Sequence, residues 1–325
     1  MQSIILGNFD GVHLGHQALL KAAKNCSQTS REGSSKHLSV VAITFGEPPR
    51  AVLDPTFVVQ RLQTVEDRVA CLRRFGATQV EVLAPTKELL GLRAEQFVVD
   101  LHTRFPFDRI VEGSDFRFGR GREGTVDLLR SLGARLGFEV VEVPSVRVAL
   151  HDGSIVEARS GTIRELIRSG SVCDANRLLG RGFSLCTRVV RGDQRGRTIG
   201  WPTANLDSNE LSAQRLLLPG DGVYAGFARV KESIGGFEAS VPALAAISVG
   251  SKPTFGGSGT TIEATLLHAN GQPLRLPSDA YGWSLELEFR DRLRSQVRFE
   301  SLEALLAQME LDRARIVEIA TSLAE

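Results

Sequence analysis

The chain has 325 residues, enough for about two domains of ordinary size, and with 42% hydrophobic and 24% charged residues it has the composition of a globular protein. Its net charge of +1 gives no field that would indicate a nucleic-acid or membrane partner, and we expect neither. The four cysteines are scattered and form no CxxC pair, so we expect reduced thiols and no zinc site. We recognise no leader-like segment and no apolar run of about 18 residues, and we therefore expect a cytoplasmic protein.

The first predicted elements are a buried strand over Ser3–Leu6 and a helix that begins at His16, and the turn between them reads GNFDGVHLGH over Gly7–His16. Open α/β sheets bind ligands at the carboxyl ends of such strands, and helix N-terminal N–H groups favour phosphate oxygens. Glycines in the turn allow the backbone to approach a ligand closely. Because His13 and His16 are three residues apart, both imidazoles could reach one triphosphate. The alternative is a structural glycine-rich turn with two solvated histidines.

Strands and helices alternate through the rest of the first half. Nearly continuous β-branched runs predict buried strands, and apolar residues at helical spacing, bounded by an N-cap or a glycine, predict helices. In chain order the pattern predicts strand Leu38–Phe45, a helix from N-cap Thr64 to Gly76, strand Gln79–Leu83, helix Ala94–Leu101, strand Arg109–Glu112, helix Gly124–Leu136 and strand Phe138–Val143. This alternation predicts a doubly wound parallel sheet.

A loop over Gly113–Gly124 follows one of these strands and combines glycines, two phenylalanines and three arginines. Aromatic rings can stack on a planar heterocycle, and guanidinium groups can hold phosphate. The loop is therefore a candidate binding element, and the alternative is a solvated basic loop.

Two short helices, Ile163–Arg168 and Val172–Leu179, precede a glycine break at Gly180–Gly182. We place the domain boundary there, which gives domains of residues 1–180 and 181–325.

Beyond the break, glycine and proline turns separate short strands with no long helices between them, a pattern typical of an antiparallel barrel. The predicted strands are Phe183–Val190, Gly222–Val230, Leu244–Val249, Thr261–Leu267 and Trp283–Phe289. A final helix runs from Ser301 to about Ser322. We expect its apolar stripe to pack in the core, a stripe formed by Leu302, Leu305, Leu306 and Met309.

Two features of the second half suit phosphate chemistry. Gly192–Asn205 is a glycine-rich segment whose backbone N–H groups could wrap phosphates, although no GK[ST] follows as in a Walker A loop. Thr203 and Asn205 face the same way in an extended segment and offer the hard oxygen ligands that Mg²⁺ prefers. Glu263 projects from a predicted strand away from its apolar face. The alternative for the glycine-rich segment is a structural hairpin, and the alternative for Glu263 is a solvated strand glutamate.

The motifs of both halves resemble one family over nearly the whole chain, from Ile4 to Arg315. GNFDGVHLGH and GSDFRFGRGREG resemble the FMN adenylyltransferase module of bacterial bifunctional riboflavin kinase/FAD synthetases, which belongs to the HxGH nucleotidyltransferases. The string GRTIGWPTAN resembles the GRxxGxPTAN motif of riboflavin kinase. The resemblance implies a Rossmann-like nucleotidyltransferase domain followed by a small antiparallel β-barrel with a terminal helix.

The resemblance implies two ATP-dependent reactions, in which riboflavin becomes FMN with Mg²⁺ and FMN then becomes FAD. In the first domain His13 and His16 are implied to stabilise charge on the α-phosphate. The other implied ATP-binding residues are Gly7, Asn8, Phe9, Asp10, Gly11, Ser160 and Arg164. The implied flavin-binding residues are Asp115, Phe116, Arg117 and Phe118.

In the second domain Glu263, in an ExxLL context, is implied to be the general base on the ribityl 5′-hydroxyl. The resemblance places ATP at Gly192, Gly196, Arg197, Thr203 and Asn205, with Mg²⁺ at Thr203 and Asn205. Arg294 and Phe299, from a segment like LRxExxF, are implied to bind the flavin. Riboflavin, FMN and ATP are thus the expected partners, and the sequence leaves the oligomeric state open.

The sequence departs from the family pattern at several places, among them Lys252, which stands where the family commonly has arginine. A TFEPHP-like segment reads TFGEPP here, and an SSTxIR element that closes on the ATP phosphates reads RSGTIR over Arg159–Arg164. In the LRxExxF-like segment Gln296 replaces the glutamate. The altered phosphate element raises an alternative, a riboflavin kinase whose N-terminal domain binds nucleotide but barely transfers. A flavin-storage module is a further hypothesis, which the intact PTAN string and Glu263 oppose. A tRNA ligase is disfavoured because the chain is short and no basic anticodon-binding surface is readable.

Overall fold

The computed structural model describes residues 1–25, 39–192, 200–232, 242–254, 257–274, 277 and 280–323, with the backbone alone for 251–254 and 257–259. The chain divides into two compact units, Met1–Ser160 and Gly161–Glu325.

The N-terminal unit is built on a five-stranded parallel sheet in the order β3-β2-β1-β4-β5. Its strands are β1 Gln2–Leu6, β2 Ser39–Phe45, β3 Gln79–Leu83, β4 Arg109–Gly113 and β5 Glu139–Val143. The predicted doubly wound sheet is therefore confirmed. The strand order reverses at β1, because β2 and β3 follow on one side of it and β4 and β5 on the other. In such sheets ligands bind in the crevice at the carboxyl ends of the two strands where the order reverses, here β1 and β4.

Helices cover both faces of this sheet. They are α1 Leu14–Asn25, α2 Pro49–Leu53, α3 Val65–Arg74, α4 Lys87–Gly91, α5 Ala94–Arg104 and α6 Val126–Leu136. Successive residues of a strand point to opposite faces of the sheet and pack in two different apolar clusters. Ile4 and Ile43 lie in one cluster, and Ile5 and Ala42 lie in the other. The predicted N-cap Thr64 is confirmed, because its side chain accepts a hydrogen bond from the backbone N–H of Asp67.

A small hairpin, β6 Arg147–Ala149 and β7 Ile155–Glu157, follows the sheet, and the sequence analysis missed it because each strand has three residues. Next come α7 Ser160–Arg168 and α8 Val172–Leu179. Helix α7 begins three residues earlier than predicted.

The C-terminal unit contains a closed, antiparallel six-stranded barrel in the order β10-β11-β12-β9-β8-β13, which confirms the predicted barrel. Its strands are β8 Phe183–Val190, β9 Thr203–Leu206, β10 Gly222–Glu232, β11 Ala243–Thr254, β12 Gly257–Leu267 and β13 Ser284–Arg294. The four-residue β9 was not predicted as a strand. Besides α7 and α8, the described part of this unit contains the helices α9 Ser208–Ala213 and α10 Leu302–Ser322.

Helix α10 packs on the barrel through Ile316, which is 1% exposed, and through Leu306 and Met309. The expected core role is wrong for Leu302, which is 49% exposed at the first turn of the helix. Burial is therefore centred further along the helix than the leucine spacing predicted.

Among the described helices, none is both long enough and apolar enough to cross a membrane. Cys71, Cys173 and Cys186 are half-buried cysteines outside any disulfide, and Cys26 lies outside the described residues.

Candidate active sites

The turn between β1 and α1 has a strained backbone. Phe9 (φ 46°), Val12 (φ 38°) and Gly11 (φ 84°) all have left-handed φ values, which are costly for a ring-bearing or β-branched residue. Phe9 and Val12 are also fully buried in the apolar cluster beneath the turn. Packing therefore holds a conformation that the local sequence alone would not favour, as is common where a backbone is shaped around a ligand.

The two histidines of this turn form one patch. The rings of His13 and His16 are stacked with centroids 3.6 Å apart, and the ring of Phe9 meets His16 edge-on at 5.1 Å. His13 is 6% exposed and His16 is partly exposed. The structure thus brings together the two imidazoles that the sequence analysis singled out, beside the N-terminal end of α1.

Side chains from distant segments hold the carbonyls of the turn. The hydroxyl of Ser160 donates to the Asp10 carbonyl at 2.8 Å, and the hydroxyl of Thr44 donates to the Asn8 carbonyl at 3.1 Å. The Asp10 carboxylate accepts from the backbone N–H of Leu62 at 3.1 and 3.2 Å. Asp10 and Ser160 therefore shape the turn. Arg164 belongs to the other compact unit, and its approach to the ATP phosphates stays a prediction.

Sequence reasoning missed Arg68, a buried cation below this turn. Its guanidinium donates to the Phe45 carbonyl at 2.8 Å and to the Thr44 hydroxyl at 3.2 Å. Burial lowers the pKa of the guanidinium, and the Asp10 charge opposes that shift. The available signal was its position on the apolar face of α3, four residues before the buried Leu72.

The predicted flavin-binding loop has both buried and exposed side chains. Phe118 is 5% exposed and its ring stacks on Phe116 with centroids 5.4 Å apart, so Phe116 presents the more accessible ring. Arg117 is exposed, and Asp115 forms an ion pair with Arg159 at 3.0 Å. Arg159, which the sequence analysis did not single out, links this loop to the end of the β6–β7 hairpin.

A polar row crosses three strands of the barrel. Asn205 on β9 lies directly opposite Glu263 on β12, and Glu263 lies opposite Ser248 on β11. Directly paired residues of antiparallel strands project to the same face, so these three side chains are neighbours. Thr203 follows on the same face of β9, opposite Thr265. The structure therefore brings together the predicted base and the two predicted Mg²⁺ ligands.

The donor set of this row fits Mg²⁺, because hydroxyl and amide oxygens are hard ligands. Across the described ranges, no group of three or more His, Cys, Asp or Glu side chains is arranged to hold a metal ion. A cation at this row would therefore depend on Thr203, Asn205 and the phosphates of its nucleotide.

Gly192 packs directly against Asn205. A Cβ atom at Gly192 would overlap the Cγ and Nδ2 atoms of Asn205. The predicted ATP-binding residues Gly196 and Arg197 lie outside the described residues.

Replacing Gly192 with alanine is therefore expected to displace the Asn205 amide. We expect FMN formation from riboflavin to fall roughly tenfold or more, with a raised KM for ATP, because a small misplacement of a substrate-holding group is costly. Steady-state kinetics measures this. Gly91→Ala is the matched control, since a Cβ there meets nothing within 4 Å, and an equal loss in both variants would contradict the assignment.

The two residues assigned to the flavin at the end of the barrel lie together. The guanidinium of Arg294 lies over the Phe299 ring at 5.5 Å and donates to both carboxylate oxygens of Asp312 at 2.8 to 3.1 Å. The side chains of Arg294 and Asp312 are 19% and 9% exposed. Arg294 thus joins β13 to α10, and its contact with a flavin stays a prediction.

Replacing Asp312 with asparagine is expected to lower the free energy of unfolding of this unit by about 3 kcal/mol, because it leaves a largely buried guanidinium without its counter-charge. Chemical denaturation measures the loss. Glu318→Gln on the same helix is the control, since its pair with Arg315 is exposed. Equal stability of Asp312→Asn and wild type would contradict the role of the ion pair.

Gln296 makes one contact that an ionised glutamate could not make, the hydrogen bond to the Val249 carbonyl. Its amide NH₂ donates to the Ser248 hydroxyl at 2.8 Å and to the Val249 carbonyl at 3.2 Å. An ionised carboxylate only accepts hydrogen bonds and would face that carbonyl with a charge. The departure from the family pattern is therefore accommodated by the barrel next to the polar row.

The N-terminal unit is a doubly wound domain with a paired-histidine turn, and the C-terminal unit contains a barrel with a glutamate beside hard oxygen ligands. Together these features define a two-domain enzyme that transfers phosphorus-containing groups. Family models bear this out, because the one described as FAD synthetase matches residues 1–157 and the one described as riboflavin kinase matches residues 179–320. The chain belongs to the bifunctional riboflavin kinase/FMN adenylyltransferase family.

Curated relatives with that name cover nearly the whole chain. The protein of Escherichia coli K12 is 32% identical over 95% of this chain and 90% of its own length. That of Listeria monocytogenes is 32% identical over 94% and 88%, and that of Bacillus subtilis 29% over 98% and 92%. The likeness therefore includes both units.

A solved structure from Streptococcus pneumoniae, titled a macrolide-efflux protein, has the same fold. It superposes with a TM-score of 0.80 at 29% identity and covers 96% of this chain and 92% of its own. The likeness extends over both units.

Proposed function

We propose that the barrel phosphorylates riboflavin at the row formed by Thr203, Asn205 and Glu263. Glu263 takes the proton of the ribityl 5′-hydroxyl while that oxygen bonds to the γ-phosphorus of ATP and the bond to ADP breaks, so that FMN and ADP form. Mg²⁺, held by the Thr203 and Asn205 oxygens, would supply positive charge to the phosphates. The pairing of Glu263 with Asn205 supports this assignment.

The turn of the N-terminal unit then serves adenylyl transfer. A phosphate oxygen of FMN bonds to the α-phosphorus of ATP, pyrophosphate leaves, and FAD forms. His13 and His16 stabilise the charge that develops on the α-phosphate. The 3.6 Å stacking of their rings carries this part of the proposal, because a single phosphate group can contact both.

The binding assignments complete the proposal. ATP lies along the turn at Gly7, Asn8, Phe9, Asp10 and Gly11, with Ser160 and Arg164 toward its phosphates. FMN lies at the loop formed by Asp115, Phe116, Arg117 and Phe118. In the barrel, ATP binds at Gly192, Gly196, Arg197, Thr203 and Asn205, and the flavin binds at Arg294 and Phe299.

A product assay tests the proposal. The protein is incubated with ATP and Mg²⁺, once with riboflavin and once with FMN, and the flavins are separated by chromatography. We expect FMN and FAD from riboflavin, and FAD from FMN. FMN without FAD would leave the alternative of a kinase with a binding-only N-terminal domain, which the bifunctional relatives disfavour. Unchanged riboflavin would overturn the proposal.

Two further assignments stay predictions. The boundary placed at residue 180 lies close to the start of the riboflavin kinase match at 179, whereas the compact units divide after Ser160. We assign α7 and α8 to the adenylyltransferase domain because Ser160 begins α7. We also expect the enzyme to act in the cytoplasm, because the three described cysteines are not in disulfides.

A further inference from the structure

Glu112 is a buried acid at the crevice of the N-terminal sheet, and the adenylyl-transfer chemistry described above makes no use of it. It lies one residue before the end of β4, is 2% exposed, and its Oε1 atom accepts a hydrogen bond from the backbone N–H of Leu6 at 2.7 Å. Leu6 ends β1 and directly precedes Gly7, the first residue of the histidine turn.

The strand register explains why a side chain is needed at this place. The pairing of β1 with β4 includes only Ser3 with Arg109 and Ile4 with Ile110, whereas β1 stays paired with β2 through Leu6. The N–H of Gly7 still bonds to the Ile43 carbonyl of β2, at 3.0 Å. The Leu6 N–H points the other way, toward the opening between β1 and β4, where the Glu112 carboxyl replaces the missing backbone acceptor.

The surroundings of this carboxyl disfavour its charged form. Burial raises the pKa of Glu112 well above its ordinary value, the Leu6 N–H opposes the shift, and the nearby Asp115 charge adds to it.

We propose that Glu112 is a positioning residue for adenylyl transfer, because its carboxyl bridges the opening between the end of β1 and β4 and so sets where the Gly7–Gly11 turn and the two imidazoles lie. This inference rests on the proposed adenylyltransferase activity. It assigns Glu112 a role through Leu6 rather than through contact with substrate.

Three variants test the role. Glu112→Gln keeps an oxygen that accepts from Leu6, Glu112→Val removes it, and Glu112→Met removes it at nearly constant volume in case valine prevents folding. The control is Glu142→Val, since Glu142 lies opposite Glu112 on β5 but is exposed. Each variant is assayed for FAD from FMN and for FMN from riboflavin, with thermal unfolding recorded alongside.

We expect the valine and methionine variants to lose roughly tenfold to a hundredfold in kcat for FAD formation, with a smaller change in KM for ATP. The glutamine variant restores most of kcat, and all variants keep FMN formation. A wild-type kcat without the acceptor, or a glutamine variant as impaired as valine, would overturn the positioning role alone. Failure of the wild-type protein to form FAD would instead overturn the adenylyltransferase proposal.

Discussion

Glu263→Gln is expected to lose FMN formation from riboflavin by roughly a hundredfold to ten-thousandfold, the range for removal of a general base. The amide is close to the carboxylate in size, so the pairing of β12 with β9 and β11 is preserved and only the proton acceptor is lost. Conversion of FMN to FAD is expected to continue at the wild-type rate. Chromatographic flavin analysis from both substrates measures the two steps separately.

Glu286→Gln is the matched control for that experiment. Glu286 is also a partly exposed strand glutamate of the barrel, but it lies on β13 and interacts with Arg229 and Lys231. Its substitution should leave both reactions unchanged. If both rates fell together in Glu263→Gln, the assignment of two separate sites would be wrong.

In the barrel, sequence periodicity predicts most of the strands but not which residues of neighbouring strands lie opposite each other. Alternation and glycine turns predicted the barrel, and the two-residue spacing of Thr203 and Asn205 predicted their shared direction. The strand that contains them, β9, was not predicted, because it has only four residues and is stabilised by pairing with β8 and β12. That Glu263 lies opposite Asn205 depends on tertiary register, which the local sequence does not contain.

In the N-terminal unit the sequence analysis missed two buried ionisable residues. Arg68 and Glu112 lie at positions where a pattern of apolar residues indicates only burial, so their hydrogen-bond partners appear only once distant segments meet. The left-handed conformations of Phe9 and Val12 were missed for a related reason. Propensity argues against them, and they persist because the apolar cluster below the turn holds both side chains.

Replacing His13 or His16 with alanine is expected to lower FAD formation from FMN by roughly a hundredfold to a thousandfold, the effect of removing one group that stabilises developing charge. FMN formation in the barrel should be unaffected. The assay is initial-rate FAD production at saturating ATP. His151→Ala is the control, because His151 is an exposed histidine in the turn of the β6–β7 hairpin.

The double variant decides whether the two imidazoles act as a unit. Their rings are in van der Waals contact, and the edge of Phe9 also meets His16, so loss of either ring removes a packing partner of the other. Residues in such contact show non-additive effects. We therefore expect His13→Ala/His16→Ala to be little slower than the worse single variant. Strict multiplication of the two losses would mean that the two histidines act independently.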